Sequence, residues 1–258
     1  MDRIFSSAMS LGRIRSLLFT DPLIILVTMA MAVVSFVTTF FDRTGRRPHK
    51  IARLWGGMLL RLSGVRVVIE GLEKIDPGAS YVFVANHRSY IDTPVMLASV
   101  PVEFRFFAKH GLFLVPFLGT HLKRAGHVPV FRGDARASVK SMNLGVQLIQ
   151  EQGISLLLFP EGGRTEGEMR EFKEGAAYIA IKAGAPIVPV GIVGTRAVLP
   201  KGSSHVRGGR VLLRIGDPIA TSAMKLHDRA QLTERLARQV AELIGQTSER
   251  PLEAPRPA

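Results

Sequence analysis

Residues 81–94 read YVFVANHRSYIDTP. The apolar run 81–85 has the length and the β-branched and aromatic content of a buried strand, and it stops at Asn86-His87. Thr93-Pro94 opens a helix, because proline is tolerated in a first helical turn. The stretch therefore reads as strand, turn and helix start, and the turn covers residues 88–91. On one continuous helix His87 and Asp92 would point about 140° apart. A turn between them lets the two side chains meet. Asp92 then has two compatible roles. It can cap the helix, and it can hold the imidazole of His87 in one tautomer and stabilise the imidazolium.

The same alternation continues outward. Residues 65–71, 81–86, 127–131, 154–159, 186–193 and 210–216 read as strands. Residues 93–99, 136–151, 173–184 and 225–245 read as helices, and in the second of these Val139, Met142, Val146 and Ile149 define a buried face. Such alternation implies an α/β fold with a largely parallel sheet flanked by helices. The strands are nearly all apolar, as expected when both sheet faces are covered. Residues 201–210, KGSSHVRGGR, are rich in turn formers and read as a mobile loop.

Ahead of this region, residues 22–41 (PLIILVTMAMAVVSFVTTFF) carry no charge and are bracketed by Asp21 and Asp42. Some 20 helical residues span roughly 30 Å, the thickness of a bilayer's hydrocarbon core. The segment predicts an N-terminal membrane-anchoring helix, either crossing the bilayer or dipping in and returning. A cleaved signal peptide is disfavoured by the length of the run and by the FFDRTGRR that follows it. Arg43, Arg46, Arg47, Lys50 and Arg53 outnumber Arg13 and Arg15, which places the C-terminal side on the cytoplasmic face. In IARLWGGMLLRL, Ile51, Leu54, Trp55, Met58, Leu59 and Leu62 share a helical face. That helix either lies in the membrane interface or packs on the domain.

The chain has 258 residues, 47% of them hydrophobic, and a net charge of +13. Its pI is near 10.8 and its mean hydropathy is +0.20. This balance suits anionic partners. With one Trp, three Tyr and no basic-aromatic interleaving, nucleic acid is not expected, and acidic lipid or a phosphorylated substrate is. There is no cysteine, so disulfides, thiolate catalysis and cysteine-type zinc sites are excluded. The seven histidines form no HExxH or His-rich tract, so no metal site is predicted.

Functional side chains collect where the apolar strands end, and in open α/β sheets that is where sites lie. His87 is a candidate general base toward a bound alcohol, with Asp92 its partner. No G-x-S-x-G elbow accompanies nearby Ser89, so direct attack of an alcohol on a good acyl donor such as a thioester is the expected chemistry. In FPEGGRT (159–165), the backbone amides around Gly162-Gly163 can approach a ligand closely and could face an oxyanion. Arg164 can clamp a phosphate, and Glu161 can accept from a hydroxyl or hold Arg164. Lys109 and Arg132 are further phosphate candidates.

Taken together these stretches resemble the glycerolipid acyltransferase family. NHRSYID (86–92), AGHVPVFRGD (125–134), FPEGGRT (159–165) and APIVPVGI (185–192) look like its four ordered boxes, and the similarity covers about residues 65–218. The resemblance implies that His87 is the general base and Asp92 its partner, and that Lys109, Arg132, Glu161, Gly162 and Arg164 bind the acceptor. It implies an acyl-CoA or acyl-carrier-protein donor, no cofactor, and a lysolipid acceptor, in first place 1-acylglycerol 3-phosphate. Another lysophospholipid, a lyso-ornithine lipid or glycerol 3-phosphate are alternative acceptors. Two departures are visible: Gly163 stands where the family has Thr, and HVPVF separates Gly126 from Arg132. The expected organisation is membrane-associated helices over 1–64, a catalytic domain over 65–248 and a disordered tail over 249–258. Two readings of other classes are a non-catalytic anionic-lipid-binding protein and a hydrolase using the same base on water.

Overall fold

The computed structural model of the chain describes residues 16–42, 44–131, 133–203 and 205–246. The expected tail, and Arg13, Arg15, Arg43 and Arg132, lie outside the described residues. In chain order the main elements are α1 (Asp21–Phe41), α2 (Arg46–Leu62), β1 (Val65–Glu70), β2 (Val82–Ala85), α3 (Asp92–Ser99), β3 (Phe104–Lys109) and α4 (Leu118–Arg124). They continue with β4 (Val128–Val130), α5 (Ala135–Gln152), β5 (Ser155–Leu158), α6 (Gly175–Ala183), β6 (Ile187–Val193), β7 (Gly209–Ile215) and α7 (Arg229–Leu243).

The strands form a seven-stranded sheet in the order β1-β7-β6-β2-β5-β3-β4. Only the β6–β7 pair is antiparallel. The expected largely parallel α/β sheet is therefore present. Side chains alternate across it. Phe83, Ala85, Phe104 and Leu157 face a core shared with α2 and α3. Val82, Val84, Leu156 and Leu158 face one shared with α5, α6 and α7.

Register fixes what meets at the rim. Val84 pairs with Leu158, and Phe106 pairs with Leu157. Two residues beyond Val84, Leu158 and Phe107, the level of Asn86 is also that of Pro160 and Lys109. Lys109 in turn pairs with Val130. Four stretches that are far apart in sequence thus leave the sheet side by side at its carboxyl edge.

Strand β3 was not expected, because Glu103, Arg105 and Lys109 disguise an otherwise aromatic strand. Arg105 is 1% exposed. Its Nη2 donates to Thr44 O at 2.8 Å and to Glu103 Oε1 at 2.6 Å, fastening the α1–α2 turn to the sheet. Gly45 makes that docking possible: a Cβ there would stand 2.6 Å from Ala125 O. Arg105 lines one small cavity with His49, His121 and His127. Desolvation, followed by the charge of Arg105, pushes His49 and His127 each down to about 3.

Helix α2 packs on the domain. Leu59 and Leu60 join the core, and a Cβ on Gly56 would lie 2.9 Å from Pro94 O of α3. Trp55 donates its indole N–H to Thr28 Oγ1 of α1 at 3.1 Å, so the two helices lie antiparallel as a hairpin. Leu54, expected on the same face, is exposed instead. Val139 is likewise exposed, because none of the first six residues of α5 is buried and its packed face begins at Ser141.

Candidate active site

The β2 strand does not end at Ala85 in energetic terms. Asn86 Nδ2 donates to Ile192 O at 2.9 Å, and Asn86 Oδ1 accepts from Ile192 N–H at 2.7 Å. The carboxamide thus extends the sheet pairing to β6 by one side chain and fixes the point at which His87 leaves. Both main-chain groups of His87 are then held by the neighbouring loop. Its N–H donates to Glu161 Oε1 at 2.8 Å, and its C=O accepts from Thr165 N–H at 3.1 Å.

His87 Nδ1 lies 2.8 Å from Asp92 Oδ2. The turn over 88–91 therefore brings the two together as its chemistry requires. Asp92 is fully buried, and the same Oδ2 also accepts the N–H groups of Arg88 and Ser89 at 2.8 Å each. The expected cap differs in detail. Asp92 is the first residue of α3, preceded by Ile91, and no side chain caps the helix. Its carboxylate binds the turn upstream of itself instead, because the N–H groups of that turn converge on the oxygen that holds His87. With Nδ1–H donated to a carboxylate, Nε2 carries the imidazole lone pair. Phe159 stacks on the ring at a centroid distance of 4.2 Å and 18° between planes, which limits its rotation.

Ser89 is fully buried, with its hydroxyl donating to Leu199 O at 2.8 Å. It is part of the turn and holds no position for nucleophilic attack. Glu161 is also buried. Its Oε2 accepts from Thr165 Oγ at 3.1 Å and from Arg170 N–H at 3.0 Å, while its Oε1 holds His87. It therefore makes no pair with Arg164. The Arg164 guanidinium lies instead over the Tyr90 ring, 3.4 Å from its centroid. Stacking leaves the in-plane N–H groups of an arginine free to bind an oxyanion. Gly162, at φ +70°, donates its N–H to Phe159 O at 3.0 Å and so closes the turn with its own amide. The strand end of Lys109 is two strands from that of His87, about 10 Å away.

Two basic residues went unnoticed in sequence. Lys173 brings its ammonium beside Gly162, where a Cβ would be 3.5 Å from Nζ. Arg88 donates to Gly167 O and holds the outer part of the same loop. Neither carries a local signal, because the Arg88 contact spans 79 positions and the Lys173 contact depends on how the loop after Gly162 folds back. Among the described residues no group of three or more His, Cys, Asp or Glu is placed to hold a metal ion.

The inward-turned carboxylate makes a prediction. In Glu161→Gln one oxygen becomes an N–H₂ group facing N–H or O–H donors. The variant should lose about 1–3 kcal/mol of stability and lower kcat. A residue that only contacted the acceptor would raise KM and leave the melting temperature unchanged, so thermal denaturation beside steady-state kinetics separates the two.

Residues 66–193 match the family model described as Acyltransferase. The chain is 34% identical over 207 residues to a chloroplastic 1-acyl-sn-glycerol-3-phosphate acyltransferase of Brassica napus, covering 79% of this chain and 59% of that one. It is 34% identical over 187 residues to a chloroplastic protein of the same name from Arabidopsis thaliana, covering 71% and 52%. It thus spans between half and three-fifths of the length of these curated relatives. Its fold resembles the crystal structure of the 1-acyl-sn-glycerophosphate acyltransferase PlsC from Thermotoga maritima, with a TM-score of 0.73, 23% identity, and coverage of 93% of this chain and 100% of that one. The matched span contains the His87–Asp92 turn, the Glu161 loop and the strands that bring them together, and by that likeness the chain belongs to the glycerolipid acyltransferase family.

Proposed function

We propose that the protein transfers a fatty acyl group from a thioester, acyl-CoA or acyl-carrier protein, to the free hydroxyl of 1-acylglycerol 3-phosphate, forming phosphatidic acid. The observation that carries this reading is the 2.8 Å His87–Asp92 contact at a strand-end rim, with the hydroxyl of nearby Ser89 buried and bonded to Leu199 O. A base without a protein nucleophile suits direct attack by an alcohol on a carbon that already bears a good leaving group. The acceptor oxygen attacks the thioester carbon as Nε2 takes its proton. The C–S bond then breaks, and the imidazolium returns the proton to the departing thiolate. Asp92 stabilises the imidazolium between these steps. Arg164, Lys109 and Arg132 are the proposed phosphate ligands. Glu161 and Gly162, proposed from sequence as acceptor contacts, shape the loop beside His87.

The site is proposed to work at a membrane, on the cytoplasmic face where thioester donors reside. Residues Leu18–Phe41 make a helix of mean hydropathy 2.4, long and apolar enough to cross a bilayer. Both of its ends, however, bond to the body of the chain. Asp21 Oδ2 lies 2.9 Å from His205 Nδ1 at one end, and Arg124 Nη2 donates to Thr39 O at 2.8 Å at the other. A helix about 31 Å long that crossed the hydrocarbon would carry one end out of reach of a domain on one side. These contacts favour α1 lying along the domain within one leaflet. Helices α1 and α2 are then a docked part of the catalytic unit, with Leu59 and Leu60 in its core and Ile24 packed against it.

Purified protein in lipid, given a labelled acyl donor against a panel of lysolipids and glycerol 3-phosphate, should label phosphatidic acid fastest. Label only in free fatty acid would favour the hydrolase reading, and lipid binding with no transfer from any thioester would sink the enzymatic one.

A further inference from the structure

The segment that leaves β3 is HGLFLVPFLG, residues 110–119. Its fold is tight: Gly119 comes so close to the start of the loop that a Cβ would stand 2.1 Å from Phe113 O. Phe113 turns inward and is buried. The others do not follow it. Leu114 is 69% exposed and Phe117 76%, and Leu112, Val115 and Leu118 are exposed as well. Phe117 is also the one described non-glycine residue with positive φ, at +61°. A disfavoured backbone that turns a phenylalanine outward gains nothing in water. It gains if an apolar phase covers the ring.

Three observations say what covers it. First, the patch continues the apolar surface of α1. Phe117 meets Phe36 edge-on at 6.1 Å, Phe36 meets Phe40 at 5.2 Å, and Val33, Val37 and Phe41 carry the exposed surface along the helix. Second, its surroundings are basic. No acidic residue occurs between His110 and Phe131, Lys109, Lys123 and Arg124 in and beside the segment are exposed, and Arg124 lies over the Phe40 ring of α1, 4.4 Å from its centroid. A basic rim around an apolar patch matches a headgroup layer of anionic lipid above hydrocarbon. Third, the segment starts at Lys109, level with Asn86 across the sheet, so whatever covers it lies beside the active-site rim.

We propose that residues 112–118 form a second lipid-inserting element, entering the headgroup–acyl boundary of an anionic bilayer beside α1 and seating the carboxyl edge of the sheet on the membrane. This rests on the membrane reading of α1 and adds the loop to it. A lysolipid could then reach His87 from its own leaflet without passing through water.

The absence of cysteine makes a direct test clean. Single-cysteine variants Phe117→Cys, Val33→Cys and Val139→Cys, the last on an exposed apolar position of α5, would carry an environment-sensitive fluorophore. They would be mixed with phosphatidylglycerol–phosphatidylcholine vesicles containing a quencher on the acyl chains. Quenching at 117 and 33 but not at 139 is expected. Quenching at 33 without 117 overturns the proposal and leaves the membrane reading of α1 standing. Quenching at neither overturns both. A blue shift at 117 without vesicles that grows with protein concentration shows a second copy covering the patch, and also overturns the proposal. Leu114→Glu with Phe117→Glu should reduce the vesicle partition coefficient roughly tenfold or more. Transfer to detergent-dispersed substrate should be kept, and an unchanged coefficient would count against insertion.

Discussion

Alanine at position 87 should lower the acyl-transfer kcat by roughly 10²- to 10⁴-fold, the range typical of a lost general base. The fold should survive, because the turn keeps its main-chain bonds when the imidazole is lost. The main chain of His87 stays bonded to Glu161 and Thr165, and Asp92 Oδ2 keeps the N–H groups of Arg88 and Ser89. Asp92→Asn tests the same step from the other side. An amide can still accept a bond from the turn, but it cannot stabilise the imidazolium, and it can present N–H₂ to Nδ1 and so select the wrong tautomer. A loss of comparable size is expected. Acceptor KM should change little in either variant, since neither group carries the phosphate. Single-turnover kinetics, with circular dichroism to verify folding, would decide it. Near-normal turnover by a folded His87→Ala protein would end the proposed mechanism.

That dyad was legible because it is local. The five-residue spacing, the proline at Pro94 and the apolar run before Asn86 all lie within one strand–turn–helix unit, so the geometry follows from backbone preferences. The sheet was legible for the same reason wherever strands are apolar and bounded. Strand β3 was not, because its buried Arg105 finds partners in Thr44, 61 residues away, and in Glu103. A charge reads as exposed until its partners are known. The role of Glu161 was hidden in the same way. A carboxylate beside Gly-Gly-Arg suggests a surface group, and only the fold shows that its first partner is His87 N–H, 74 positions earlier. Helix α1 gave its composition away and not its pose. Length and hydropathy permit spanning, and the contacts to His205 and Arg124 that argue against it lie outside the helix.

Arg105 offers the largest expected change in stability. It is buried, its Nη2 joins the α1–α2 turn to Glu103, and its side chain fills the space between them, so Arg105→Ala should cost about 2–4 kcal/mol from the lost packing and the unmade bond to Thr44 O. Part of the loss belongs to Thr44 O, which loses this donor, and to Glu103, which is left with Arg46 at 3.5 Å. Arg105→Met separates size from charge: it refills volume and restores no donor, so it should recover only the packing share. The surrounding histidines add a pH signature. His49 and His127 are held near 3 by desolvation first and by the Arg105 charge second. Their folded values lie below the ordinary 6.5, so the unfolded chain binds protons more readily. The stability they contribute is therefore complete above about 6.5 and drains away as pH falls toward 3. With the guanidinium gone, both histidines should protonate more easily in the folded state, and the acid slope should flatten in Arg105→Met. Urea unfolding followed at several pH values by the single tryptophan, Trp55 on α2, reads both effects where the hairpin docks. An Arg105→Ala protein as stable as the parent would show that the α1–α2 turn is held by packing alone.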